Sequence, residues 1–300
     1  MTIYSQIAGN RFKTYLIFGI FIFLFTGFFY IIGQVYDAAI GYAVIGFLIA
    51  LFSTLGSYFY SDKLVLATTG AKPAKKEEFF DLYTVVENLS IAAGTPMPKV
   101  YVIYDPAPNA FATGRDPKHA VVCVTTGLLE RLERAELEGV IAHELSHVKN
   151  YDMLVSTITA VLVGTIGLVA DWIFRSFLWG GFGNRGNNNR RSSNPAMIVL
   201  FILALVITPI VATLIQLAIS RKREYLADAS GALLTRYPEG LARALEKISS
   251  DPHPLRTATT STAHLFISNP FKKKNVSNWV TSLFSTHPPI DERIKILRSM

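Results

Sequence analysis

The stretch Val140–Asp152, VIAHELSHVKNYD, runs directly into MLVSTITAVLVGTIGLVA at positions 153–170. The first part carries two histidines and a glutamate within one H-E-L-S-H segment, and the second has no charged side chain. An uncharged apolar run of about 18 residues is long enough to enter a lipid bilayer. The junction therefore predicts a polar helix at the foot of a membrane helix.

The composition of the whole chain is that of an integral membrane protein. Of its 300 residues, 50% are hydrophobic and only 17% are charged, whereas about a quarter is usual in soluble domains. Long uncharged runs predict four spans in two hairpins: 14–36 with 38–61, and 153–174 with 195–220. A cleaved signal peptide is the alternative for the first run, but that run is too long and a second one follows almost at once.

The net charge of +7 is concentrated at the borders of the predicted spans rather than in a nucleic-acid-binding patch. Nine basic residues flank the spans: Arg11, Lys13, Lys63, Lys72, Lys75, Lys76, Arg221, Lys222 and Arg223. With four spans they all lie on one side, which the positive-inside rule makes cytoplasmic. Four arginines in the loop 175–194 run against this assignment. The single Cys123 allows neither an internal disulfide nor a cysteine-rich zinc site.

The remaining residues divide into two blocks around the second hairpin. We expect an N-terminal hairpin at 1–61, a first soluble block at 62–152, the second hairpin with its loop at 153–220, and a second soluble block at 221–300. An even number of spans returns the chain to the same side, so the two blocks can form one domain. Apolar patterns in these blocks predict helices at 77–93, at 134–150 and after Arg221, with short strands at 99–104, 110–113 and 120–125.

His143-Glu144-Leu-Ser-His147 has the spacing H-E-x-x-H. Residues four apart lie on one face of a helix, so both imidazoles can reach one metal ion. Glu144 is then close enough to contact a water at that metal, which is the zincin arrangement with a carboxylate as general base. Two surface histidines on an ordinary helix are the alternative. The apolar stripe of ELEGVIA, at 136–142, favours a helix packed in a core with its polar face in a cleft.

A zinc peptidase needs a third ligand, and SRKREYLADASGALL at 220–234 offers one. Glu224 and Asp228 are four apart and share a helix face. Glu224 can bind the metal, and Asp228 can accept the distal N–H of a ligand histidine and hold its tautomer. Without the other motif, such a pair would more often be a solvated charged face.

With both motifs the chain resembles the HtpX-type membrane metalloproteases, which are gluzincins related to the CAAX prenyl proteases. Three further stretches carry the resemblance: NAFATG (109–114), TAHLFISNPF (262–271) and FSTHPPIDERI (284–294). It covers essentially the whole chain. It implies an α-helical membrane protein with four spans and a mainly helical α+β zincin-like domain carrying a small sheet. It also implies one zinc ion per chain, with three ligands, a base and a supporting carboxylate: His143, His147 and Glu224, then Glu144, then Asp228.

The same resemblance implies residues that contact the substrate. Asn109, Ala110 and Phe111 belong to the edge strand that would pair with an extended peptide, although a plain core strand has the same pattern. His287 and Arg293 are candidates for stabilising the oxyanion of the tetrahedral intermediate. The two prolines after His287 equally fit an ordinary helix start.

The function implied is hydrolysis of misfolded or damaged membrane proteins on the cytoplasmic side of the bacterial inner membrane, as part of quality control and the stress response. Membrane-protein and unfolded-protein substrates and the bilayer are the expected partners, with no nucleic acid. One alternative is a CAAX-type prenyl protease, although those have more spans and a longer chain. Another is a catalytically silent zinc-binding membrane scaffold, which would not need Glu144. A transporter is disfavoured because no predicted span carries paired charges.

Overall fold

The structure, a computed structural model, describes residues 3–180, 221–271 and 288–300. Its helices are α1 Ile3–Val35, α2 Ala39–Thr69, α3 Phe80–Ala93, α4 Thr126–Arg131, α5 Arg134–Lys149, α6 Asp152–Gly180, α7 Arg221–Thr235, α8 Pro238–Ser250 and α9 Ile290–Leu297. Its strands are β1 Lys72–Pro73, β2 Lys99–Ile103, β3 Ala110–Thr113 and β4 Val121–Thr125, with 3-10 turns at Pro117–His119 and Ala263–Leu265. The three predicted strands are confirmed. The sequence analysis did not predict β1.

Three of the described helices are long and apolar enough to cross a membrane: Ile7–Gln34, Ala39–Thr69 and Asp152–Asp171. They correspond to the first three predicted spans. The fourth predicted span, 195–220, lies outside the described residues, as does most of the loop that precedes it. Within the described residues the fold is thus mostly helical, with three candidate membrane helices and a small mixed sheet.

The membrane helices pack against one another through one apolar core and leave apolar side chains on their outer faces. The α1 aromatics Phe21, Phe25 and Phe28 are buried in this core together with Ile158 and Leu162 of α6. Outward-facing apolar side chains remain well exposed, including Phe23 at 77%, Ile40 at 78%, Phe52 at 67% and Leu168 at 74%. Soluble proteins rarely leave so much apolar surface uncovered, so these faces fit a lipid environment.

The sheet has the order β1-β2-β4-β3, in which β2 and β4 run parallel and the outer strands are antiparallel to their neighbours. Side chains on one face, such as Val122 and Val124, join the core built by α3, α5 and α8. Those on the other face, such as Phe111 and Cys123, pack with Val65 of α2, among others. The sheet therefore lies between α3, α5 and α8 on one face and the candidate membrane helices on the other.

Candidate metal centre

The helix that carries H-E-x-x-H is the centre of the domain core. It begins at a capping box in which the Glu133 N–H donates to Oε2 of Glu136 at 2.8 Å. It contacts α3, α7, α8 and β3, and even its polar motif is enclosed, since His143 is 1% and Glu144 2% exposed. Burying such groups costs free energy unless partners satisfy them, so their surroundings decide what they can do.

The two histidines and Glu224 of α7 converge on one point. The Nε2 atoms of His143 and His147 are 3.2 Å apart. Carboxylate oxygens of Glu224 lie 3.7 Å from Nε2 of His143 and 3.5 Å from Nε2 of His147. The three ligand atoms all lie within 4.8 Å of one another. Helix α7 comes this close because of Gly231, where a Cβ would lie 3.0 Å from the backbone nitrogen of His143.

A buried ion pair supports His143 from behind. Oδ1 of Asp228 lies 2.9 Å from its Nδ1. Arg293 of α9 donates from Nε and Nη2 to the two oxygens of Asp228 at 2.8 and 2.7 Å, and from Nη1 to the carbonyl of Ile267 at 3.3 Å. Burial would raise the pKa of Asp228, but the Arg293 guanidinium outweighs it and lowers that pKa to about 2. Asp228 therefore remains a carboxylate and can hold the Nδ1–H tautomer of His143.

His147 has a matching support that the sequence analysis missed. Its Nδ1 lies 3.4 Å from Oδ2 of Asp152, the first residue of α6. The other oxygen of Asp152 accepts a hydrogen bond of 2.6 Å from Nδ2 of Asn10 and lies 3.3 Å from Nε of Arg223. Asn10, 4% exposed on α1, also donates to the carbonyl of Asn150 at 2.9 Å. Through Asn10 and Asp152, the first candidate membrane helix, α1, is thereby linked to the candidate metal ligand His147.

The only sequence signal for this second support is an aspartate five residues after His147, at the predicted foot of the membrane helix. Helix-start preferences account equally well for an aspartate at that position. Nothing in the local pattern points to Asn10, because it lies 142 residues away from Asp152.

The electrostatics of the cluster suit a cation. Burial lowers the pKa of His143, which keeps this imidazole neutral. Burial also opposes charge on His147, but the carboxylates of Asp152, Glu224 and Glu144 prevail and raise its pKa to about 9. Two imidazoles and a carboxylate are a donor set that zinc prefers. The raised pKa of His147 places a proton between the two Nε2 atoms, which are 3.2 Å apart, and a metal cation bound there would take the place of that proton. These residues fit zinc.

Glu144 lies beside this cluster with the properties of a base. Burial raises its pKa to about 7, the Glu224 carboxylate adds to the rise, and His147 and the backbone N–H of Ala112 oppose it. A group with a pKa near the working pH is the most effective at both accepting and returning a proton.

Strand β3 passes next to Glu144 at the edge of the described sheet. Thr125 N–H donates to the Asn109 carbonyl, so the alternation of an antiparallel ladder turns the backbone groups of Ala110 and Ala112 away from β4. The Ala110 carbonyl accepts a hydrogen bond from Ile267 N–H at 2.9 Å, and the Asn109 side chain donates to the Ser268 carbonyl. Part of the predicted substrate edge is thus already paired within the chain. Phe111 does not point to the edge but packs against Phe266.

His287 lies outside the described residues. The other three histidines have contacts of their own: His119 with Asp116, His253 with Asp251, and His264 with the Ser156 carbonyl.

Comparisons with known proteins agree with this geometry. The sequence pattern of peptidase family M48 matches residues 76–300 of this chain. A "Protease HtpX homolog" of Caldanaerobacter subterraneus subsp. tengcongensis is 47% identical over 303 residues, covering 100% of this chain and 98% of that protein. One of Tropheryma whipplei (strain Twist) is 48% identical over 302 residues, covering 99% of this chain and 98% of that protein.

A solved structure shares the fold. The crystal structure of S. mikatae Ste24p superimposes with a TM-score of 0.50 at 20% identity, covering 98% of this chain and 66% of that one. At this identity the likeness concerns architecture alone.

Proposed function

Because this chain belongs to peptidase family M48 and is a membrane metalloprotease, we propose that it is a zinc endopeptidase that cleaves extended segments of misfolded or damaged membrane proteins. The observation that carries the proposal is the convergence of His143, His147 and Glu224 beside a buried carboxyl group with a pKa of about 7.

We assign the metal ligands to His143, His147 and Glu224, with Asp228 and Asp152 holding the two imidazoles. Zinc bound there would polarise the scissile carbonyl and make a water nucleophilic at neutral pH. Arg293 is better suited to hold Asp228 than to contact an oxyanion, because its three bonding nitrogens are already directed to Asp228 and Ile267. His287 stays a proposed oxyanion group.

Glu144 would take the proton of the attacking water and return it to the leaving amine. Its enclosure keeps bulk water from competing for that proton, and the nearby backbone N–H of Ala112 favours its carboxylate form. A scaffold that only bound zinc would not need a buried group poised in this way, which disfavours the silent alternative.

The substrate backbone would pair with β3 towards Ala112 rather than at Ala110, whose carbonyl already accepts the Ile267 N–H. Pairing of this kind uses main-chain hydrogen bonds and makes little demand on sequence. It suits substrates that share an unfolded, extended state, and quality control within the stress response is the corresponding task.

The active site would lie on the cytoplasmic side of a four-span protein. Two blocks of the chain, one before Asp152 and one after position 220, meet at the metal centre, so the segment after α6 must return to the side from which α6 departs. A fourth span at 195–220 provides this return. Basic residues at the domain-side helix ends, including Arg11, Lys13 and Lys63, support the cytoplasmic assignment.

The first test is Glu144→Gln in the full-length protein. We expect zinc to be retained at one ion per chain while hydrolysis of an unfolded membrane-protein substrate falls to background, because only the proton acceptor is lost. Glu138→Gln is the matched control, since this partly exposed glutamate on the same helix pairs with Arg134 and not with the cluster. A chelator should abolish cleavage by the wild type. Normal cleavage by Glu144→Gln with zinc bound would refute the assignment.

A further inference from the structure

A basic cavity opens where the membrane helices meet the catalytic domain. Its volume is about 560 Å³. Its wall includes Arg11 and Tyr15 of α1, Tyr58 of α2, Arg115 and Lys118 beyond β3, and Tyr151 between α5 and α6. None of these residues belongs to the metal centre. The cavity lies at the level where the apolar runs of α1 and α6 begin and that of α2 ends.

The charge of the wall favours an anion. Three cations, Arg11, Arg115 and Lys118, face one carboxylate, Asp116, which leaves a net charge of +2. Asp116 is engaged by its own turn, because it accepts from the N–H groups of Lys118 and His119 and lies 3.5 Å from Arg115. Arg11 and Lys118 form no ion pair with any carboxylate among the residues that the structure describes.

Tyr151 occupies the wall in a strained conformation. Its φ is +61°, in the left-handed region that side chains other than glycine adopt at a cost. The Arg11 guanidinium lies over its ring, 4.9 Å from the centroid. Glycine would relieve the strain at this helix junction, but it would remove the aromatic wall and the cation–π contact. Strain of this kind persists where the surroundings require it, often at a ligand site.

We propose that this cavity binds the headgroup of an anionic phospholipid. Lysine, arginine and tyrosine side chains at the edge of the hydrocarbon layer meet the lipid phosphates, and basic pockets between membrane helices bind acidic headgroups. The outer rim continues as exposed apolar and amphipathic surface, with Phe12 at 68% and Tyr15 at 66% exposure, along which acyl chains can lie. A soluble anion would gain nothing from this rim.

Bound lipid would also steady the metal centre. Arg11 and Tyr151 are the chain neighbours of Asn10 and Asp152, whose 2.6 Å hydrogen bond backs His147. A headgroup that bridges Arg11 to the turn at Tyr151 would hold this junction together. Lipid binding would then influence the orientation of His147, a candidate zinc ligand.

The test is lipid binding to the full-length chain in an uncharged detergent, followed by native mass spectrometry. The probes are phosphatidylglycerol, phosphatidylcholine and inorganic phosphate. We expect the wild type to retain phosphatidylglycerol in preference to phosphatidylcholine, and inorganic phosphate at the same concentration not to displace it. Arg11→Gln combined with Lys118→Gln should weaken retention roughly 25-fold, at about fivefold for each cation near the surface.

A pair with the same loss of charge, Lys63→Gln with Lys75→Gln, lies outside the cavity and should bind as the wild type does. If the double variant Arg11→Gln with Lys118→Gln fails to fold, Lys118→Glu alone tests the proposal. The Lys118 side chain is exposed and makes no hydrogen bond or ion pair with other described side chains, so its replacement should not affect folding. Equal binding by wild type and cavity variants would overturn the proposal, and so would full displacement by inorganic phosphate. The readout does not depend on proteolysis, so the protease assignment stands or falls separately.

Discussion

At the residue scale, the proposed metal centre is built from pairs in which a carboxylate stands behind each imidazole. Asp228 stands behind His143 and Asp152 behind His147. Each carboxylate is in turn held by other side chains, Arg293 for Asp228, and Asn10 and Arg223 for Asp152. Partners of this kind orient the ligand, fix its tautomer and raise its basicity.

The prediction at this scale concerns Asp152→Asn. We expect zinc affinity, measured by competition with a chromophoric chelator, to fall about 10- to 100-fold, because the amide cannot support His147 as a carboxylate does. Asp171→Asn is the control, an exposed carboxylate on the same helix that pairs with Arg175. Circular dichroism should show equal helix content for both variants. Unchanged zinc affinity in folded Asp152→Asn would mean that His147 does not depend on this contact.

At the scale of elements, the site depends on how closely α7 lies against α5. Glu224 and the histidines are on different helices, and the absence of a side chain at Gly231 permits their approach. A glycine in mid-helix costs roughly 1 kcal/mol of stability relative to alanine. The close contact explains why glycine is tolerated there.

Gly231→Val should therefore separate the two helices at the metal centre. The Cβ would already lie 3.0 Å from the His143 nitrogen, and the two added methyl groups cannot be accommodated without movement of α7. We expect loss of most zinc binding together with a lower thermal midpoint. Gly167→Val makes the same exchange at an exposed helical position with no atom within 4 Å, and should retain zinc. Full zinc occupancy in Gly231→Val would show that Glu224 is not held through this contact.

At the scale of the whole molecule, the membrane helices are part of the catalytic unit as well as its anchor. Asn10 of α1 and Asp152 of α6 meet next to His147, and the sheet rests on Val65 of α2 and Ala160 of α6. Detachment of the domain from the hairpin would therefore disturb the site itself.

The proposed four-span topology predicts on which side of the membrane distant positions lie. Single cysteines at Lys76→Cys, Asn188→Cys and Met300→Cys can be labelled with an impermeant maleimide in spheroplasts, with little background because Cys123 is buried. Only position 188 should be labelled before permeabilisation. If positions 76 and 300 are labelled differently from each other, the two blocks cannot share one active site and the proposal fails.

The sequence by itself determined the features that arise from local periodicity and composition. Uncharged runs predicted the three candidate membrane helices that the structure describes, and short apolar runs predicted β2, β3 and β4. The four-residue spacing in H-E-x-x-H placed both imidazoles on one helix face. These features depend on neighbours within one or two turns of chain, and the sequence displays such neighbours directly.

Only the tertiary structure decided which distant groups meet. The link from Asn10 to Asp152 joins residues 142 apart, and the engagement of Arg293 with Asp228 joins residues 65 apart. The pairing of Ile267 with β3 likewise showed which part of the edge is already used. No local pattern distinguishes a buried partner of this kind from an ordinary polar residue. Its role arises when packing removes water and leaves one neighbour to satisfy each charge and hydrogen bond.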